Sequence, residues 1–128
     1  MRFVIVESPY AGDIEANEEY ARKCLHDCLM RGEAPFASHL LYTQPCVLDD
    51  LKLDERNRGI EAGLEIAKRA DATVVYLDHG ISKGMESGMG AALKAHRVME
   101  YRWFNGRAEA VMVFSSAVAA KAAKEMVV

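Results

Sequence analysis

The residues best suited to chemistry lie in one stretch, Asp78-His79-Gly80-Ile81-Ser82-Lys83-Gly84-Met85-Glu86-Ser87-Gly88. It brings two carboxylates, two serines, a histidine and a lysine together among glycines. Residues 72–77 just before it, Ala-Thr-Val-Val-Tyr-Leu, are β-branched and aromatic and read as a buried strand. Ala91, Ala92, Leu93 and Ala95 after it continue as a helix. A strand therefore ends, a glycine-rich turn follows, and a helix starts with its first N–H groups unpaired. Those N–H groups and the helix dipole favour an anion. In open parallel α/β sheets, ligands bind beside the carboxyl ends of the strands, where this turn falls. Glycines also serve ordinary βα turns. A site needs further residues to converge on the same place.

The elements that must position such a site are legible along the chain. Residues 2–7 form a first strand, nearly continuous in apolar residues as a central parallel strand should be. It ends in Ser8-Pro9-Tyr10-Ala11-Gly12-Asp13, a turn at a strand's carboxyl end. A helix is predicted over 15–31, with Tyr20, Ala21, Cys24, Leu25, Cys28 and Leu29 on one stripe and Gly32 as its stop. A short second strand follows at 34–37, then Ser38-His39-Leu40-Leu41-Tyr42-Thr43 and a long loop through Pro45. A second helix is predicted over 54–70 with Asp54 as N-cap, and a fourth strand over 97–103. Residues 109–114 read as a fifth strand, with Ser115 or Ser116 capping a last helix through Met126. Residues 108–126 as one continuous helix is the alternative.

Alternating strands and helices predict a single α/β domain over residues 1–128. The expected architecture is a flavodoxin-like three-layer sandwich with a mainly parallel five-stranded sheet. A strand order of 2-1-3-4-5 puts the switch point between strands one and three. Ser8, Tyr10 and the turn at 78–88 should meet there.

Composition narrows the function. The chain has 128 residues, 51% hydrophobic and 27% charged, which suits one globular core. Sixteen Lys and Arg against nineteen Asp and Glu leave a net charge of −3, against a general electrostatic grip on a nucleic acid polymer. No apolar run reaches the roughly 18–20 residues of a membrane span, and no signal-peptide pattern is present. Cys24, Cys28 and Cys46 are odd in number, so a reducing cytoplasmic setting is expected. Cys24 and Cys28 share the helix's apolar stripe and read as core residues rather than metal ligands.

Four stretches in order carry a resemblance: Ser8-Pro9-Tyr10, Ser38-His39-Leu40-Leu41-Tyr42, Glu55-Arg56 and Ile81-Ser82-Lys83-Gly84-Met85. Together, across about residues 3–102, they resemble the nucleoside 2-deoxyribosyltransferase-like superfamily of transferases and nucleotide N-hydrolases. That resemblance implies a nucleoside or nucleoside 5′-monophosphate as small-molecule partner, with cleavage or exchange at the N-glycosidic bond and no cofactor or metal. It also implies a homo-oligomer, with Leu40–Tyr42 and residues 126–128 as candidate contacts. In the family's enzymes a glutamate on the helix after the third strand attacks the anomeric carbon, within a pattern Ser-x-Gly-x-x-x-Glu. Ser82 and Gly84 match its first positions. Gly88 stands where the glutamate belongs.

Glu86 is the nearest substitute, although two residues along a helix is a rotation of about 200°, and a first-turn acid also simply suits the helix dipole. Asp78 is the second carboxylate within reach and Glu7 a third. Asp78 and Glu86 are therefore the expected catalytic residues. Ser8, Pro9, Tyr10, His39, Arg56, Gly80, Ser82, Gly84 and Met85 are the expected binding residues. Tyr10 could stack on a base, His39 could hydrogen-bond base or sugar, and Ser82 with the next N–H groups could hold a phosphate. Arg56, at a helix N-terminus where a cation is unfavourable, is expected to pair with a carboxylate such as Asp49 or Asp50. Gly88 supports an alternative: a catalytically silent protein that senses or sequesters a nucleotide.

Overall fold

The apolar runs become the centre of one sheet. In the computed structural model, which describes residues 1–104 and 108–111, β1 (Phe3–Glu7) lies between β2 (Ala34–Phe36) and β3 (Ala72–Tyr76) and is parallel to both. Strand β4 (Val98–Arg102) adds in parallel beside β3, and β5 (Ala108–Val111) pairs antiparallel with β4. The order is β2-β1-β3-β4-β5. The switch point thus falls between β1 and β3. Residues 112–128, with the expected last helix and the candidate contact at 126–128, lie outside the described residues.

Alternation along the strands sorts side chains into two cores. Val4, Val6, Val74 and Tyr76 pack with Tyr20, Cys24 and Cys28 of helix α1 (Ile14–Met30). Val75, Leu77, Met99 and Tyr101 pack with Met85, Met89 and Ala92 of helix α4 (Lys83–Lys94). The result is a three-layer α/β sandwich of the flavodoxin-like kind. No described helix is long and apolar enough to cross a membrane.

Local chemistry sets the helix ends. Asp13 caps α1 by accepting from the Ala16 N–H at 3.2 Å. At its other end Gly32 takes φ +78°, while the N–H groups of Gly32 and Glu33 donate to the carbonyls of Leu29 and Cys28. That is a Schellman stop, which a residue without Cβ adopts most readily.

Between β2 and β3 the expected bounds and cap of the second helix are corrected, and the stretch before the long loop gains a structure. Ser38–Leu41 forms a short helix, α2, whose end is closed by the Tyr42 N–H on the Ser38 carbonyl and by the Thr43 hydroxyl on the His39 carbonyl. Helix α3 runs Leu53–Ala67 rather than 54–70, and Lys52, not Asp54, is its N-cap. Asp54 and Glu55 sit inside the first turn and act there through the dipole. Glu55 also accepts the Asp49 N–H at 3.2 Å. Asp71, beyond the helix, accepts the Phe3 N–H at 2.7 Å.

A buried ionic cluster braces the α1 face of the sheet. Arg102 donates to both oxygens of Glu33 at 2.8 and 2.7 Å and to Glu100 at 2.8 Å. Arg2 joins the same two carboxylates.

Candidate active site

The other face is not fully packed. Helices α3 and α4 stand apart over β1 and leave a cavity of about 520 Å³. That lies within the size range of small-molecule sites, roughly 300–1,000 Å³. Ile5, Phe36, Ile60, Leu64 and Ala91 supply apolar wall. Its polar groups come from different elements, among them Glu7 and Ser8 from the end of β1, His39 from α2, Asp50 from the loop before α3, Glu55 and Arg56 from α3, Ser82 and Lys83 at the start of α4, and Arg97 just before β4.

Glu7 follows from the strand's alternation. Ile5 and Glu7 point to one face and Val4 and Val6 to the other, so the strand's last residue puts a carboxyl on the cavity floor. Helix α4 accommodates it through Gly88. A Cβ at position 88 would lie 2.0 Å from Glu7 Oε2 and 2.5 Å from its Cδ. The carboxylate thus fills the space in which a side chain at position 88 would begin. Burial pushes the Glu7 carboxyl up to about 8, against the opposing pull of the Arg97 charge. Arg97 is 9% exposed and donates to the Thr73 hydroxyl at 3.2 Å.

His39 Nε2 lies 2.7 Å from the Ser8 hydroxyl, and Ser8 is 4% exposed. Burial holds the imidazole down to about 4, so it is neutral at physiological pH. A neutral imidazole and a hydroxyl can share a proton with each other and with a ligand hydroxyl. Helix α2 is kept close by Gly63 of α3, where a Cβ would lie 2.9 Å from Ser38 Cβ.

These two shifts give opposite pH dependences. The folded protein keeps Glu7 protonated between its unfolded value of 4.5 and about 8, so stability is lost as pH rises through that window. The folded protein keeps His39 neutral between about 4 and 6.5, so stability is lost as pH falls through that one. Where both act they cancel. From pH 6.5 to 8 only the loss from Glu7 remains, at most about 1.4 kcal/mol per pH unit. Urea unfolding at pH 6.5 and 8.5 should show this fall in the wild type and not in Glu7→Gln; equal falls would exclude it.

At the start of α4, the Ser82 hydroxyl accepts the Met85 N–H at 3.3 Å. The N–H groups of Lys83 and Gly84 belong to the first turn, which has no intrahelical acceptor. Gly84 lines the cavity, and a Cβ there would meet only Ser82 Oγ, at 3.9 Å. Among the described residues no packing contact demands glycine at this point. The space it leaves faces the cavity.

Of the residues singled out from sequence, Ser8, Tyr10, His39, Arg56, Ser82, Gly84 and Met85 line this cavity. Pro9, Gly80, Asp78 and Glu86 are not part of its lining. Asp78 turns towards α1: Oδ1 accepts from the Tyr20 hydroxyl at 2.7 Å, and Oδ2 accepts from the Phe104 N–H at 3.0 Å. Glu86 is exposed in the first turn of α4, rotated away from Gly84 and Gly88. Arg56 pairs with neither Asp49 nor Asp50 among the described residues; it lends its charge to the cavity wall instead. Glu7 and Arg97 were not among the expected site residues. A lone carboxylate ending an apolar central strand is a signal for the first; Arg97 carries none.

The family model for a domain of unknown function, DUF7768, matches residues 2–102. The chain belongs to that family. Among curated proteins no relative matches the sequence. Solved structures share its fold. The 2-deoxyribosyltransferase from the psychrotolerant bacterium Bacillus psychrosaccharolyticus superposes with a TM-score of 0.57 at 18% identity, covering 82% of this chain and 74% of that one. The 2-deoxyribosyltransferase from Leishmania mexicana gives 0.55 at 14% identity, covering 95% of each chain. The fold is thus nucleoside 2-deoxyribosyltransferase-like.

Proposed function

We propose that this chain binds a nucleoside 5′-monophosphate in the cavity between α3 and α4 and cleaves, or exchanges the base at, its N-glycosidic bond. One observation carries the reading: a carboxyl group and a helix N-terminus face the same cavity of about 520 Å³. The first suits an oxocarbenium-like centre. The second, with the open space at Gly84 and the charges of Lys83 and Arg56 on the wall, suits a phosphate. Ser8 and His39 lie between them in character, as neutral hydrogen-bonding groups for sugar hydroxyls. The fold shared with two 2-deoxyribosyltransferases supports the substrate class, one of them described as a biocatalyst for nucleoside synthesis.

Equilibrium dialysis with the four deoxynucleoside 5′-monophosphates and their nucleosides, with chromatography for released base, tests this. At least one monophosphate should bind more tightly than its nucleoside and lose its base. Ser82→Ala should weaken that binding by about 10-fold or more, the loss of one hydrogen bond to a charged group. Gly84→Val should remove the preference for the phosphate by filling the space above the helix. Monophosphates that fail to bind at millimolar concentration would refute the reading.

A further inference from the structure

Three carboxylates line the cavity, and their surroundings separate them. Glu55 stands at the start of α3, accepting the Asp49 N–H at 3.2 Å and pairing with Lys52 at 3.7 Å. Asp50 belongs to the loop that edges the cavity. Glu7 alone rises from the sheet. Among the described residues no donor is hydrogen-bonded to its carboxyl group, and Arg97 acts on it only through space. A half-buried carboxyl without a protein donor leaves its hydrogen bonds to water or to a ligand. A structural glutamate would have a partner; this one faces the space a ligand would fill. The chain also keeps glycine at position 88, inside a helix, where any Cβ would collide with that carboxyl.

We propose that Glu7 is the nucleophile of this site, attacking the anomeric carbon of a nucleoside or its 5′-monophosphate; the assignment rests on the N-glycosidic reading above. Glu7 carries its proton at neutral pH. A carboxyl oxygen forms a bond to C1′ as the C1′–N bond breaks; the bond pair leaves on the ring nitrogen, and the carboxyl proton passes to that nitrogen through a water. A second water attacks C1′ of the resulting ester, the Glu7 carboxylate departs with its electron pair, and it takes up the proton that this water releases. The products are the free base and the free sugar or its phosphate. With a second base in place of the second water, the same ester leads to exchange.

The test uses a nucleoside 5′-monophosphate bearing fluorine in the arabino position at C2′, which slows breakdown of such an ester. Intact-mass measurement of the wild type should show one added fluorinated sugar phosphate, and peptide mapping should place it on Glu7. Glu7→Gln should give no adduct and lower base release by about 10³-fold or more, while equilibrium dialysis shows monophosphate binding within a few-fold. Gly88→Ala leaves Glu7 in place but forces its carboxyl to withdraw. It should cost about 10²-fold, the usual effect of a displacement near 1 Å. An adduct on any other residue, or base release that survives Glu7→Gln, would overturn the assignment. A wild type that binds the monophosphates yet forms neither adduct nor free base would overturn it too, leaving the binding site intact. Absence of binding would remove the N-glycosidic reading itself.

Discussion

Gly88→Glu should inactivate this protein, and adding Glu7→Ala to it should bring activity back. The single change puts a glutamate where the resembled family carries one, so sequence alone suggests a gain of function. The packing at position 88 argues for the opposite outcome. A Cβ at position 88 falls 2.0 Å from Glu7 Oε2, so the new side chain and the old carboxyl compete for one volume. Overpacking of this kind costs roughly 1–3 kcal/mol, and two carboxyl groups in contact resist ionising together. Base release should fall about 10²-fold as both groups are displaced, with a lower melting temperature. In Glu7→Ala the floor is vacant and no carboxyl replaces it, so that variant should be inactive as well. In the double variant the glutamate leaves α4 into the vacated space and returns a carboxylate to the cavity. Four proteins, assayed for base release and melting, form a double-mutant cycle with a large favourable coupling. Activity in Gly88→Glu alone, or a double variant no better than Glu7→Ala, would show that the two positions do not share one catalytic volume.

The second large effect lies on the opposite face of the sheet. Arg102→Ala should lower the unfolding free energy by about 3–5 kcal/mol, the range for removing one partner of a buried ion pair. Arg102 is 2% exposed and holds Glu33, Glu100 and the Tyr76 hydroxyl. Removing it leaves two acids with only Arg2, whose side chain is 37% exposed. Hydrogen bonding from Arg2, with help from Arg102, holds Glu100 down to about 2. For Glu33, burial pushes upward and the two arginines outweigh it. Both groups therefore contribute stability above their unfolded values and lose it in acid. Urea titrations of wild type and variant at pH 7 measure the difference. A loss below about 1 kcal/mol would mean that the cluster is solvated and worth no more than a surface pair. Because α1 and the cluster occupy one face and the cavity the other, ligand binding by the folded fraction should survive.

Much of this protein is decided by near neighbours in the chain, and those parts are legible in its sequence. The short, β-branched and aromatic runs at Phe3–Val6 and Ala72–Tyr76 read as central strands. Asp13, Gly32 and Ser82 mark helix ends because capping depends on a side chain or a φ angle within a few residues. The alternation of elements then leaves few topologies, and the switch point between β1 and β3 follows, so Ser8, Tyr10 and Ser82 could be assigned to one place. Side-chain direction at the ends of elements obeys no such local rule. Asp78 sits at a strand's end like Glu7, yet it turns to Tyr20 and the Phe104 backbone because donors there reach it first. Helix α2, and with it the Ser8–His39 pair, depends on Ser38 packing against Gly63. The meaning of Gly88 was hidden most completely. In the sequence it reads as a missing carboxylate, and only the packing of α4 on β1 shows Glu7 filling the space from another element. Periodicity and capping act over a few residues. Which groups share a cavity is set by contacts between elements far apart in the chain, and these exist only once the chain has folded.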